Sequence, residues 1–301
     1  MVIVIGEILI DRFGETWRVG GAPFNFAFHL KKMGLPVRFV SRVGADPYGS
    51  EILTLLERRG FPADDLQIDN HHPTGTVEVE LDHAGVPRYD IRSDVAYDHL
   101  DLDSVSIPQP EAVRLLYLGT LLQRSDRACA QVRRFLARRP PGAECLCDIN
   151  MRPPHVNFAG VDNGLEACTI LKLNDDELET LQGRITGPAG TDAYVGWLMN
   201  RFAIDTLALT HGAGGSAIYQ HGQVVRSGPV AGPKVVDTVG AGDAYAAVLA
   251  LGCLKRLAPR RTIMLAAGFA SRICGIRGAI PDDEKMYGEL LAQMKGDGHG
   301  R

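Results

Sequence analysis

The first ten residues, Met1 to Ile10, are a short apolar run, interrupted by Glu7, that stops at Asp11, the pattern of a buried strand with a carboxylate at its carboxyl end. After Gly20-Gly21-Ala22-Pro23-Phe24-Asn25 comes a stretch rich in Phe, Ala and Leu. It predicts a helix with proline in its first turn, closed by Gly34 and Pro36. Val37 to Val43 predicts a strand, and residues 44–49 a loop into a helix over 50–59, stopped by Gly60 and Pro62. Thr76 to Leu81 alternates with period two, Asp82-His83-Ala84-Gly85 turns, and Val86 to Ile91 returns, which predicts a hairpin with one polar face. With Arg12 to Val19 this hairpin would form a small separate sheet, or else an edge of the main one. Strand patterns at 113–118, 144–147, 169–174 and 206–210 alternate with helical patterns at 125–139 and from Asp175, so parallel strands joined by helices are expected. Ser216 to Tyr219 and Gln223 to Arg226 predict a hairpin around Gly222. Val235-Val236 predicts a strand end. From Ala244 the chain is apolar on every face, as a helix buried under a sheet would be. Helices over 259–276 and 282–294 and a frayed tail at 296–301 complete the pattern.

Composition adds exclusions. A chain of 301 residues, 45% hydrophobic and 23% charged, suits one large α/β domain with a small appendage or two modest domains. The formal charge is −4 and the paired arginines sit in helical stretches, which argues against a nucleic-acid partner. No apolar run approaches the roughly 20 residues of a membrane helix. The N-terminus reads as a strand and not as a signal peptide. Six scattered cysteines lack metal or redox spacing and fit small core residues in a reducing cytoplasm.

The candidate chemistry lies in the loops. Gly240-Ala241-Gly242 ahead of an apolar helix would bring backbone amides and the helix dipole to an anion. Asp243 beside them is either a helix cap or a base that takes a proton from a hydroxyl attacking a phosphate. Asp11 is either a strand-ending turn residue or a ligand group where open α/β sheets bind ligands. Asn25 is either a cap or a polar contact in an apolar setting. Asp148, Asn150 and Arg152 sit in a Pro-rich loop after a strand, with chemical and incidental readings both open. Asn174 and Glu177 have the spacing of a capping box. The glycines of His211-Gly212-Ala213-Gly214-Gly215 suit a nucleotide against bare backbone, or a plain turn.

The run Asp237-Thr238-Val239-Gly240-Ala241-Gly242-Asp243 resembles the C-terminal signature of the PfkB (ribokinase-like) carbohydrate kinases, and Asp11 with Gly20-Gly21 and Asn25 resembles the family's N-terminal pattern. The resemblance implies a three-layer α/β/α ribokinase-like fold with a mostly parallel sheet, one kinase domain over 1–301, and a small β lid from about 12–19 and 74–98. It implies that Asp243 is the catalytic base and that Gly240, Ala241 and Gly242 form an anion hole. Asp11, Gly21 and Asn25 would bind the sugar. Asn150 and Arg152 would also meet it, in a loop where Ile149 replaces a common proline. Asn174 and Glu177 would order Mg²⁺ largely through water, with Asn174 near the nucleotide. Thr210, Gly212 and Gly215 would line the ATP cleft and Gly268 the adenine pocket, where an asparagine is frequent and this chain has Ala266-Ala267-Gly268-Phe269. A monovalent cation beside Asp237, a homodimer through the lid and a cytoplasmic location complete the expectation. The motifs look most like fructokinase-type members acting on D-fructose, with 2-keto-3-deoxygluconate kinase as the nearest rival and other PfkB sugar and nucleoside kinases behind it.

Two other classes are weaker. A dinucleotide-dependent oxidoreductase needs Gly-x-Gly-x-x-Gly after the first strand, and this chain runs instead into Gly6-Glu7-Ile8-Leu9-Ile10-Asp11. A non-catalytic sugar- or nucleotide-binding fold-mate has no need of Asp243. Neither the P-loop pattern nor the protein-kinase His-Arg-Asp loop occurs.

Overall fold

The computed structural model describes residues 1–81, 87–107, 109–230 and 232–295. The expected turn at Asp82–Gly85 and the tail at 296–301 lie outside them. In chain order the main elements are β1 (Val2–Ile5), β2 (Leu9–Phe13), β3 (Thr16–Gly20), α1 (Ala22–Lys32), β4 (Val37–Gly44), α2 (Pro47–Arg58), β5 (Leu66–Asp69), β6 (Thr76–Leu81), β7 (Pro87–Ile91), β8 (Leu115–Gly119) and α3 (Asp126–Ala137). There follow β9 (Glu144–Asp148), α4 (Phe158–Ala167), β10 (Ile170–Asn174), α5 (Asp175–Arg184), α6 (Thr191–Phe202), β11 (Thr206–Thr210), β12 (Ser216–Gln220), β13 (Gln223–Ser227), α7 (Ala241–Leu254), α8 (Pro259–Ile273) and α9 (Lys285–Lys295).

The chain divides into two compact units. The first comprises Met1–Phe24, Val37–Ala143 and Arg152–Asn163, and the second Asn25–Pro36, Glu144–Met151 and Gly164–Arg301.

In the first unit, strands in the order β8-β1-β4-β5 pair in parallel, with Val4 opposite Phe39 on one side and Tyr117 on the other. All four residues of β1 are buried, as an apolar run covered on both faces requires. Phe24, Phe39 and Phe61 form a ring cluster beneath it, with centroids 5.7 to 6.3 Å apart. A second sheet has the order β3-β2-β6-β7. It is not an edge of the main sheet. Its inner face is fixed by Leu9, Val77 and Ile91, packed with Val95, Tyr97 and Leu121, while Phe13, Trp17 and Tyr89 are exposed.

The structure corrects the sequence reading at the N-terminus. Residues 1–10 are not one strand, because the chain breaks at Gly6–Ile8 and Leu9 begins β2, with Ile10 N donating to Gly75 O at 2.9 Å. Asp11 therefore lies inside β2, opposite Arg18 and Val77, and not at the end of β1.

Asp46 caps α2 and ties it to the strand entry at Thr74. Its carboxylate accepts from Gly49 N at 2.8 Å, Thr74 Oγ1 at 2.7 Å and Thr74 N at 2.7 Å. Burial opposes the charge, but these donors outweigh it and hold the carboxyl below its ordinary value. A depressed folded value stabilises the protein above the unfolded value, and that contribution is lost as pH falls through the folded one. Thermal melts should therefore drop between about pH 5 and about pH 3, with a shallower drop in Asp46→Asn. Equal slopes would remove Asp46 from the acid limb.

In the second unit β9, β10 and β11 pair in parallel, and β12 and β13 continue antiparallel. The β12–β13 turn places His221 and Gly222 at φ +50° and +73°, the backbone of a tight hairpin. Helix α7 is buried from Asp243 through Gly252, so its uniform apolarity was a reliable signal. It starts at Ala241, three residues before the apolar run. Val235 and Val236 are exposed and form no strand. Their loop is held instead by Val236 N and Asp237 N, which donate to Cys274 O at the end of α8. Helix α8 ends at Ile273 and α9 begins at Lys285, inside the wider sequence estimates. His29 of α1 accepts or donates at 2.8 Å to Tyr287 of α9 and stacks edge-on to Phe269 of α8, where burial lowers its pKa to about 3. It is a neutral core histidine. Cys129, Cys145, Cys147 and Cys168 are buried free thiols, and Cys253 and Cys274 are free and partly buried.

Candidate active site

The site is built around the entry of α7. Gly240 caps the helix at φ +77°, and a Cβ there would meet Ala279 Cβ at 2.2 Å, so only glycine fits. The first ladder bond at this end runs from Ala244 N to Gly240 O, which leaves the Gly242 amide ahead of the ladder. Asp243 is the third residue of the helix and not its cap. Its residue is 8% exposed, and its Oδ2 accepts from Asn25 Nδ2 at 2.7 Å. Asn25 in turn is no cap, because α1 starts before it and its Nδ2 donates to Asp243. Two motifs separated by 218 residues thus meet in one hydrogen bond.

A lysine that the sequence reading passed over completes this centre. Lys172 stands opposite Asp148 in the β9–β10 ladder, and its Nζ donates to Asp148 Oδ1 and Oδ2 at 2.9 and 3.2 Å. A Cβ added at Gly242 would lie 3.0 Å from the same Nζ, so the ammonium reaches the glycine loop at the entry of α7. Burial works against the charge of Lys172, but Asp148, Glu177 and Asp243 around it raise its pKa above the ordinary lysine value. The available signal was a lysine inside the apolar strand Ile170-Leu171-Lys172-Leu173. A buried lysine needs a partner, and Asp148 is that partner.

Asn174 caps α5 in a complete capping box: Glu177 N donates to Asn174 Oδ1 at 2.9 Å and Asn174 N to Glu177 Oε2 at 2.8 Å. Glu177 Oε1 also accepts from Met151 N at 2.9 Å. Burial raises the Glu177 pKa, an effect that Lys172 and these amides oppose. Each carboxylate oxygen already holds one amide, and each retains a lone pair. This donor set fits a hydrated Mg²⁺ placed through water, the way that ion prefers to bind.

Asn150 follows β9 at φ +42° and is half-buried, whereas Arg152 is exposed and belongs to the first unit. Thr210 ends β11, and its hydroxyl donates to Leu173 O at 3.4 Å. Gly212 and Gly215 follow at φ +53° and +104°, and Gly268 lies on α8 with open space beside its Cα. His211 Nδ1 pairs with Asp175 Oδ1 at 2.8 Å, the place of a loop histidine and not a base. Asp237 clamps the loop ahead of α7, accepting from Val239 N at 3.1 Å and Gly278 N at 2.9 Å.

In the first unit Asp11 and the glycine pair form a second constellation. A Cβ at Gly20 would lie 2.2 Å from Asp11 Oδ2, so the carboxylate rests against bare backbone across β2 and β3. Gly21 follows at φ +111° and leads into α1.

The family model of the pfkB family carbohydrate kinases matches residues 4–286, which takes in all of these positions. The chain belongs to the pfkB family of carbohydrate kinases. A fructokinase of Salmonella typhimurium is 28% identical over 264 residues, covering 82% of each chain. Among solved structures, a fructokinase of Xylella fastidiosa with bound ATP superposes with a TM-score of 0.85 at 19% identity, over 98% of each chain. A fructokinase of Vibrio cholerae O395, in a fructose, ADP and calcium ion bound form, superposes with a TM-score of 0.80 at 20% identity, again over 98% of each. The α/β class and ribokinase-like fold expected from the sequence are those of these pfkB relatives. Among the described residues, no helix is long and apolar enough to cross a membrane.

Proposed function

We propose that this pfkB kinase transfers the γ-phosphoryl group of ATP to a primary hydroxyl of a small sugar, D-fructose before others. The observation that carries the reading is the carboxylate of Asp243 in the first turn of α7, directly behind a glycine loop that Lys172 Nζ approaches. Phosphoryl transfer asks the protein for positioning and charge stabilisation more than for covalent chemistry. Asp243 takes the proton of the attacking hydroxyl, with Asn25 fixing the plane of its carboxylate. The amides of Gly240, Ala241 and Gly242, the helix dipole and the Lys172 ammonium meet the charge that develops on the transferred group. Asn174 and Glu177 would hold Mg²⁺ through its water shell, and the ion would neutralise phosphate charge. Thr210, Gly212, Gly215 and Gly268 take the nucleotide. Asp11, Gly21, Asn25, Asn150 and Arg152 take the sugar. The exposed Phe13, Trp17 and Tyr89 support a lid and dimer-contact role for the small sheet. The bound ligands of the Xylella and Vibrio fructokinases support ATP, a metal ion and fructose.

ATP consumption in a coupled assay with Mg²⁺, across D-fructose, 2-keto-3-deoxygluconate, D-ribose, fructose 6-phosphate, adenosine and inosine, tests the proposal. Turnover on fructose above the rest supports it. A preference for 2-keto-3-deoxygluconate keeps the mechanism and replaces the substrate. No turnover on any of them overturns the kinase reading for these acceptors. Repeating the assay in K⁺ and in Na⁺ tests the monovalent cation expected beside Asp237.

A further inference from the structure

Away from the α7 centre, the first unit gathers a second set of ligating side chains. His72 precedes β6, and Asp94 and His99 follow β7. Their nearest nitrogen and oxygen atoms all lie within 4.8 Å of one another. His99 Nε2 is 2.9 Å from Asp94 Oδ1, and His72 Nε2 is 3.7 Å from the same oxygen. Donors around a tetrahedral ion with arms of about 2.0–2.1 Å stand roughly 3.3 Å apart, and these two distances bracket that edge.

A further observation comes from the atoms behind the ligands. His72 Nδ1 lies 3.0 Å from Asp69 Oδ2, and Asp69 is fully buried, with its other oxygen accepting the backbone amides of His71 and His72. Arg42 holds the same carboxylate from the other side at 2.9 Å and donates to His99 O at 3.0 Å. A carboxylate has no proton to give, so His72 donates through Nδ1 and, when neutral, turns the Nε2 lone pair toward Asp94. A carboxylate behind a histidine is the arrangement that orients metal-bound imidazoles.

We propose that His72 Nε2, His99 Nε2 and an Asp94 oxygen form a binding site for a borderline divalent transition ion such as Zn²⁺, with water as the fourth ligand. Two imidazoles with one carboxylate select Zn²⁺, Co²⁺ or Ni²⁺ over Mg²⁺. The two rings are stacked at 3.6 Å with 13° between their planes, and both Nε2 atoms face the same Asp94 oxygen. Binding requires the His99 ring to turn about Cβ–Cγ, while Asp69 keeps His72 in place. The Nε2 proton that His99 shares with Asp94 leaves to solvent or moves to Nδ1 as the metal bond forms. An ion so held would join the chain entering β6 to the chain leaving β7, and so fasten both ends of the hairpin.

Chelator-treated protein, residues 1–301, titrated with Co²⁺, followed by visible absorption and then displaced with Zn²⁺ in a calorimeter, tests the site. The expected result is one equivalent with a tetrahedral cobalt spectrum. Affinity should fall at least 10-fold in Asp94→Ala and His99→Ala, and about 10- to 100-fold in Asp69→Asn. Asp94 is 79% exposed at its side chain but sits at φ +55°, so Asp94→Asn, which tolerates that backbone and removes the anionic ligand, is measured beside Asp94→Ala and should also bind more weakly. Absence of saturation below about 100 μM overturns the proposal. So does undiminished binding in Asp94→Ala and His99→Ala, or a thiolate charge-transfer band placing the ion on a cysteine. None of these readouts depends on sugar phosphorylation.

Discussion

Replacing Asp243 with asparagine is expected to lower kcat on the order of 10²- to 10⁴-fold, the range that a positioned general base contributes. The substitution keeps the shape of the side chain and lets its oxygen go on accepting from Asn25 Nδ2, so far-UV circular dichroism and the melting temperature should stay close to wild type. The loss should fall equally on kcat and kcat/KM, because the proton leaves the hydroxyl only as the new bond forms. A rise in KM alone would make Asp243 a binding group. Turnover within a few-fold of wild type would remove it from the chemistry altogether.

The second large effect concerns stability. Lys172→Met leaves the carboxylate of Asp148, wholly buried at its side chain, without its cation, and Glu177 loses the same neighbour. Breaking a buried pair in this way costs about 3–5 kcal/mol, which for a chain of this size lowers the melting temperature on the order of 10 °C. A second change, Asp148→Asn, removes the stranded charge and should recover much of the loss. The pH dependence has a definite sign. Without the ammonium, the two carboxyls bind protons more tightly in the folded state, and a raised folded value favours folding below the unfolded value. The deficit of Lys172→Met should therefore be smaller near pH 5 than near pH 8. Melting curves at both pH values decide the matter, and a variant that melts with wild type at each would show the pair to be dispensable.

Much of this was legible in the amino-acid order because it rests on local chemistry. Gly240 reveals itself since a left-handed helix entry packed against Ala279 has no room for a Cβ. The capping box at Asn174 and Glu177 is complete within four residues. The β12–β13 hairpin announces itself through Gly222 between two apolar runs. What was hidden depends on partners far away in the chain. Lys172 looks misplaced until β9 sets Asp148 beside it. The break between β1 and β2 is marked only by Gly6-Glu7 in an otherwise apolar run, because either sheet would bury the apolar side chains on both sides of it. Val235 and Val236 have strand propensity but no neighbouring edge, and hydrogen bonds to Cys274 decide their conformation. The His72–Asp94–His99 group escaped because spacings of 22 and 5 residues match no short motif.

The hydrogen bond between Asn25 and Asp243 also has a consequence for how the protein is made. Residues 25–36 belong to the second unit, whose other parts begin at Glu144, and Asp243 lies 218 residues downstream of Asn25. At about 5–20 residues per second, a ribosome needs roughly 10–40 s to cover that distance. Through that interval the nascent chain carries Phe26, Phe28 and Leu30, which are buried in the finished protein, and a His29 that lacks Phe269 of α8 and Tyr287 of α9 to pack against. Synthesis that stalls before α8 should therefore yield a sticky, chaperone-dependent fragment, and α1 is the segment that a holdase would be expected to grip.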